Sequence, residues 1–169
     1  MAARSRRGLR RRDLMAVPEF VLELRRHVGH SQLWLMGVTA VVVRGGAEVL
    51  LVQRSDTHAW TPVTGIVDPG EHPALTAVRE VEEEAGVVAT VRRLAAVTVG
   101  RAIVHANGDQ AQYLDHTFLC DYLSGEAHVA DDESVDVGWF PVDDLPDVSD
   151  VYRDRIAVAL LDHPETRLL

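Results

Sequence analysis

Residues 65–87, GIVDPGEHPALTAVREVEEEAGV, constrain this chain more than any other segment. Pro73 stands where a helix begins, at the first helical position, where its missing N–H sacrifices no hydrogen bond. Gly86 stands where that helix ends, as a C-terminal cap. Between them Ala74, Val78, Val81 and Ala85 recur at i, i+4, i+7 and i+11, a single apolar stripe at helical period. Such a stripe needs a core to pack on, so the segment predicts a loop and a helix laid against a larger body.

The charges on this helix run against its stability. Glu80 and Glu84 are four residues apart and share a face, Glu83 lies one helical step to their side, and Glu82 falls on another face, where it is solvated. Like charges at these spacings destabilise a helix by roughly 0.2–0.5 kcal/mol per pair. Arg79, four before Glu83, can hold it as an ion pair. A divalent cation would reverse the remaining repulsion. Mg²⁺ takes oxygen ligands and shares its shell with substrate phosphates. Bound there, it would neutralise charge on a phosphoanhydride and lower the pKa of a water. Taken alone, a run of glutamates is a solvated face. The joint pattern of Gly65, Glu71, Arg79, three placed glutamates, Gly86 and two aliphatic positions is far more demanding.

That pattern resembles the Nudix box, G-x5-E-x7-R-E-U-x-E-E-x-G-U with U aliphatic, at every fixed position. The flanks are similar too: Leu50 to Arg54 and Trp60 before the box, Trp139-Phe140-Pro141 after it, so the resemblance spans roughly residues 36–162. It implies an α/β fold, a Nudix-type α/β/α sandwich with a mixed β-sheet. It implies Mg²⁺- or Mn²⁺-dependent hydrolysis of a nucleoside diphosphate linked to another group. Carried over by position, it makes Glu80, Glu83 and Glu84 metal ligands, directly or through water. Arg79 would orient the glutamates, Glu71 support the loop and helix, and Gly65 permit the tight loop. In relatives the carbonyl just before the box glycine also binds metal; here that residue is Thr64, where the family often has a second glycine. A non-catalytic sensor of nucleotide derivatives on the same fold is the alternative, and loss of a box glutamate would mark it; all are present.

The length of 169 residues predicts one domain over 18–169, preceded by a basic arm over 1–17. Residues 1–14 carry six arginines and one aspartate, +5 of charge, which leaves −14 of the net −9 on the rest. An acidic body excludes general nucleic-acid binding. The arm reads as a disordered tail. Contact with nucleic acid or membrane, or a targeting role, are the alternatives, and Met15 offers a cleaner start that would leave the arm outside the native chain. No apolar run reaches membrane-spanning length. Cys120 is the only cysteine, which excludes an internal disulfide and a cysteine-cluster zinc site and fits a reducing cytoplasm. All 17 basic residues are arginine, which reads as genome composition rather than mechanism.

Along the chain, Pro18–Val28 reads as a short amphipathic helix and Val38–Val43 with Val49–Val52 as a hairpin around Gly45-Gly46. Trp60–Gly70 reads as the loop into the box. Val87–Val99, Gln112–Tyr122 and Val135–Phe140 read as strands, and Val151–Leu161 as a final helix. In the second of these strands Tyr113, Asp115, Thr117 and Leu119 share one face, with Leu114, His116, Phe118 and Cys120 on the other. Phe20 and Leu24 with Leu33–Met36 offer apolar surface for a homodimer; a helix packed back on its own sheet explains them equally well.

Among candidate partners of the box, Glu133 of Asp131-Asp132-Glu133 stands just before a strand and is the candidate general base, against a solvated acidic turn. Arg54 could pair with substrate phosphate or with a carboxylate, and Trp60 could stack on a base or simply pack. His105, Asn107 and Asp109 read as turn-capping residues before a base-reading set. One type of ADP-ribose hydrolase carries a proline shortly after the box, and here none lies between Pro73 and Pro141. The Ser-Gln-Pro-Trp signature of NADH pyrophosphatases is absent, as is the early tyrosine of dinucleoside polyphosphate hydrolases. ADP-ribose-like diphosphates and nucleoside triphosphates, oxidised ones included, remain the expected substrates.

Overall fold

A computed structural model describes residues 17–161 and 163–168. The basic arm expected over 1–17 lies outside the described residues apart from Val17. The described elements are helix α1 (Glu19–Val28), strands β1 (Leu33–Arg44), β2 (Glu48–Arg54), β3 (Trp60–Thr61) and β4 (Val63–Ile66), helix α2 (Pro73–Ala85), strands β5 (Val88–Val99), β6 (Ile103–Val104), β7 (Gln110–Ser124) and β8 (Ser134–Pro141), and helix α3 (Asp150–Leu160).

The β-branched run of β1 forms the centre of a mixed sheet. β1 runs parallel to β7 over eleven register pairs, Leu33↔Ala111 to Val43↔Asp121, and both are long enough to be buried on two faces. β7 pairs antiparallel with β5 on its far side, and β2 with β8 and β3. Gly45 and Gly46 both take positive φ (61° and 71°), as a tight β1–β2 turn demands.

Alternation along β1 and β7 splits the core. Val38, Ala40, Val42, Phe118 and Cys120 face α2, packed with Ala77, Val81 and Ala85. Val41, Val43, Leu119 and Leu51 face α3, packed with Ile156 and Ala159. The sandwich implied by the resemblance is therefore present. Burial pushes the Cys120 thiol up to about 12, so it is an inert core residue.

Three expectations are corrected. The stretch Trp60–Gly70 is not all loop: β4 pairs antiparallel with β1 from Ala40↔Val63 to Gly37↔Ile66, and β3 pairs with β2. Strands this short carry no readable period. The apolar stripe of α2 runs through Ala77 rather than Val78, which is only half-buried, because the helix turns slightly to bury Thr76 and Glu84 as well. β1 begins at Leu33 rather than Val38, since α1 covers its first part: Phe20 and Val21 pack on Leu35 and Ala111. Leu24, Trp34 and Met36 stay exposed. His105, Asn107 and Asp109 close the β6–β7 turn, with the Asp109 N–H donating to Asn107 Oδ1 at 3.0 Å.

The end of α2 is held by a close approach. Gly86 caps it in the left-handed region (φ 64°, ψ 18°), and its N–H donates to the Glu82 carbonyl at 3.1 Å. The His128 ring lies against its open side, where a Cβ would overlap it. Gly86→Ala should therefore lower stability by about 1–3 kcal/mol, the cost of left-handed backbone in a residue with a Cβ plus displacement of His128. A urea midpoint equal to that of the parent would contradict this packing.

Candidate active site

The loop from β4 into α2 is tied down by one residue. Glu71 accepts Thr76 Oγ1 at 2.8 Å, Arg79 Nε at 3.0 Å and Arg79 Nη2 at 3.0 Å. The two arginine contacts form a fork, and hydrogen bonds to charged groups contribute about 1.5–3 kcal/mol each. These donors hold the Glu71 carboxyl below its ordinary range, the Arg79 hydrogen bond contributing most. Glu71 is thus the anchor of the loop.

The same guanidinium reaches the metal-candidate glutamates. Arg79 Nη1 lies 2.8 Å from Glu83 Oε2 and 3.1 Å from Glu80 Oε1. The Glu83 contact is solvent-exposed and contributes little to stability. The Glu80 side chain lies flat against Gly65: a Cβ there would stand 2.5 Å from the Glu80 Cδ and Oε1. Gly65 is required by this approach, not by a positive φ. Thr64 precedes it on β4, opposite Thr39.

Glu84 is different. It is 5% exposed, and no hydrogen bond among the described residues reaches its carboxylate. Burial raises its pKa well above the ordinary value, and the charges of Glu133, Glu80 and Asp131 raise it further, with Arg54 the opposing charge. Glu80 is pushed up to about 7, by burial first, with Arg79 opposing and Glu83 and Glu133 adding. Glu82 is exposed and away from this group, as expected.

Asp131 and Glu133 reach Glu84 because the chain after β7 folds back along the end of α2. The His128 N–H donates to the Ala85 carbonyl and the Ala130 N–H to the Glu84 carbonyl, both at 3.1 Å, so the segment satisfies carbonyls that the helix leaves unpaired. The Glu133 N–H then donates to Asp131 Oδ1 at 2.9 Å, and its carbonyl accepts the Ser55 N–H at 2.8 Å. Arg54, at the end of β2, forms a two-point pair with Asp56 at 2.9 and 2.8 Å and feels the Glu84 charge. Trp60 stands apart: its ring packs edge-on against Phe140, centroids 4.8 Å apart, in the cluster under α3.

The structure thus brings Glu80, Glu133, Asp131 and Arg54 within electrostatic reach of Glu84, with Glu80 against Gly65. Glu83 is turned to Arg79. Among the described residues no three His, Cys, Asp or Glu side chains form a closed metal-binding group as they stand. The donor chemistry nonetheless fits a hard cation: every candidate ligand is an oxygen, and Glu84 is a buried carboxylate among like charges with acceptor capacity unspent. Sequence reasoning missed the helix-capping role of residues 126–130, which have no period, and the Tyr152 and Arg155 side chains of α3. Tyr152 feels the charges of Arg155, Arg54, Asp115 and Glu84.

A pH dependence follows from the raised carboxyls. The unfolded chain releases the Glu80 proton near 4.5 and the folded chain near 7, so the folded state binds more protons and stability falls as pH rises through that window. Glu84 acts in the same direction. In EDTA, the melting temperature should drop between pH 5.5 and pH 8, and Glu84→Gln should flatten that drop. A slope untouched by the substitution would refute the electrostatic reading.

Comparison with known proteins agrees with this geometry. The NUDIX domain family matches residues 34–161. The NAD-capped RNA hydrolase NudC of Erwinia tasmaniensis is 35% identical over 108 residues, 63% of this chain and 38% of that protein. The asymmetrical bis(5'-nucleosyl)-tetraphosphatase of Rattus norvegicus is 54% identical over 44 residues, 25% of this chain and 30% of that protein. The alignments thus span well under half the length of these curated relatives. Among solved structures, an ADP-ribose pyrophosphatase from Streptococcus suis superposes with TM-score 0.63 at 28% identity, covering 80% of this chain and 98% of that one. A UDP-X diphosphatase superposes with TM-score 0.65 at 26% identity, covering 93% and 76%. Because the family match runs across the central strands and both flanking helices, and not the box alone, the chain belongs to the NUDIX family of hydrolases.

Proposed function

We propose that this protein hydrolyses the phosphoanhydride bond of a nucleoside diphosphate derivative, of ADP-ribose-like or nucleoside triphosphate type, with Mg²⁺ or Mn²⁺. The observation that carries this reading is the buried, donor-free Glu84 beside Glu80, Asp131 and Glu133, a cluster whose negative charge burial and mutual repulsion disfavour and a divalent cation would stabilise. Glu80, Glu83, Glu84 and the Thr64 carbonyl are the proposed ligands. A bound divalent cation supplies charge neutralisation on the diphosphate.

The chain's own residues do the rest. Arg79, raised above its already high pKa chiefly by the Glu71 hydrogen bond, stays charged and sets the angle at which Glu80 faces Gly65. Glu71 supports the loop. Gly65 gives the Glu80 side chain room to lie against the loop. Arg54 exchanges its Asp56 partner for a phosphate oxygen, a trade its forked geometry suits. Trp60, paired with Gln53 and packed on Phe140, holds β3 to β2 rather than stacking on the substrate. Glu133 accepts the proton of the attacking water as the new O–P bond forms and the bridging P–O bond breaks, with the electron pair leaving on the departing phosphate.

Cytoplasmic location and assembly as a homodimer through the exposed α1 and β1 side chains belong to the same reading, as does the division into an arm and one domain over 18–169. Among the described residues no helix is long and apolar enough to cross a membrane. Nucleic acid and membrane are not among the partners proposed.

EDTA should abolish release of phosphate or nucleotide from a panel of diphosphate derivatives, and Mg²⁺ should restore it. Glu84→Gln and Glu80→Gln should each reduce kcat by about two or more orders of magnitude, Glu82→Gln should leave it unchanged, and Glu133→Gln should lower kcat far more than KM. Full turnover in EDTA, or tight binding with no turnover of any panel member, would remove the hydrolase reading. Light scattering at micromolar concentration checks the dimer; an 18.6 kDa species alone would argue against it.

A further inference from the structure

The sheet face under α3 changes character along its length. At one end Val41, Val43 and Leu119 pack on Ile156 and Ala159. At the other end, nearest the box, the same rows of β1 and β7 carry Gly37, Thr39, Tyr113, Asp115 and Thr117. A buried ion pair sits there. Asp115, 4% exposed, lies 2.9 Å from Arg155 Nη1 and accepts Thr117 Oγ1 at 2.9 Å and Thr39 Oγ1 at 3.0 Å. Arg155 Nη1 also donates to Thr39 Oγ1 at 2.8 Å.

Such a pair is weak evidence for stability, since apolar residues of similar volume often stabilise as well or better. Its geometry suggests another use. Asp115 is saturated, so it faces no ligand; it holds Arg155. All the hydrogen bonds of Arg155 among the described residues are made by Nη1, which leaves the Nε and Nη2 donors of a guanidinium only 13% exposed without one. That guanidinium lies 5.4 Å from the centroid of the half-buried Tyr152 ring. Gly37 leaves the adjoining sheet position without a side chain: a Cβ there would sit in contact, 3.4 Å from the Tyr113 ring, 3.6 Å from Asp115 Oδ2 and 3.7 Å from the Gly65 carbonyl. This position therefore adjoins the box glycine itself, and Tyr152 feels the charges of Arg54 and Glu84.

We infer that this patch is the nucleobase subsite, that Arg155 reads the base with its unspent donor edge while Tyr152 and Tyr113 supply aromatic surface, and that guanine is favoured over adenine. The inference rests on the reading of the substrate as a nucleoside diphosphate derivative. Arg155 is already neutralised by Asp115, so a neutral acceptor suits it better than a second phosphate. An arginine fork meets two adjacent acceptors, which guanine presents at O6 and N7. Adenine presents N7 beside an amino donor, which opposes the guanidinium N–H. Asp115, Thr39 and Thr117 are positioning residues.

Equilibrium binding of GDP and ADP with Mg²⁺ tests this without requiring turnover. GDP should bind at least about tenfold more tightly than ADP, in the range a good two-point base contact gives. Arg155→Lys keeps a positive charge for Asp115 but cannot present two parallel donors, so it should abolish the preference while leaving the melting temperature near that of the parent. Tyr152→Leu should weaken both nucleotides and keep the ranking. Equal affinities in the parent, a preference for ADP, no binding of either, or a preference that survives in a folded Arg155→Lys would each overturn the inference. Should Arg155→Lys fail to fold, the parent's ranking and the Tyr152→Leu result decide. Selective GDP binding without hydrolysis of any guanosine diphosphate derivative would sink the proposed activity and leave the base subsite standing.

Discussion

The arrangement depends on a single guanidinium. Four glutamates on a thirteen-residue helix, one of them buried, repel each other, and Arg79 is the counter-charge that allows the helix to pack on the sheet. Its position follows from the anchor below it: Glu71 takes the Nε–Nη2 edge, which leaves Nη1 for Glu80 and Glu83. The two contacts differ in what they do. The Glu71 fork is partly shielded and holds the loop, whereas the Glu83 pair is open to solvent and readily exchanged for another partner. That difference lets Glu83 change partner without loosening the loop, as its proposed role as a metal ligand requires.

Arg79 does not reach Glu84. What brings negative charge onto Glu84 is backbone: the segment after β7 uses its N–H groups at His128 and Ala130 to satisfy the end of α2, and that capping carries Asp131 and Glu133 to the carboxylate. The same contacts that finish the helix therefore assemble the site. Gly86 and the His128 ring pack against each other at this end of the helix, in the same segment that leads to Asp131 and Glu133.

The box helix, its caps, the glycine hairpin and the long strands were legible in the sequence because each has many residues obeying one period. β3 and β4 were not, because two or four residues hold no period: β4 takes the edge that β1 presents after its hairpin partner leaves, and β3 pairs with β2. Glu133 could be picked out as an acidic residue before a strand, but only the fold shows the turn that brings it back. Trp60 illustrates the converse. A tryptophan ahead of the box suits stacking and packing equally, and only the neighbouring Phe140 ring shows that its edge is occupied.

Asp115 and Arg155 lie forty residues apart, with nothing in their local pattern to join them. Read singly, Asp115 interrupts a strand and Arg155 sits on a helix whose apolar positions form no clean stripe. Together they are a charge pair where an aliphatic pair would have continued the core of Val41, Val43 and Leu119. Burying such a pair gives little net stability, so its position at the box end of the face is informative. The sheet is hydrophobic where it needs only to be packed. It becomes polar, with a glycine in the row, where Gly65 and Glu80 come alongside. That gradient along two parallel strands puts the polar, glycine-bearing end of the face beside the box loop, the end at which the proposed chemistry and the inferred base recognition would meet.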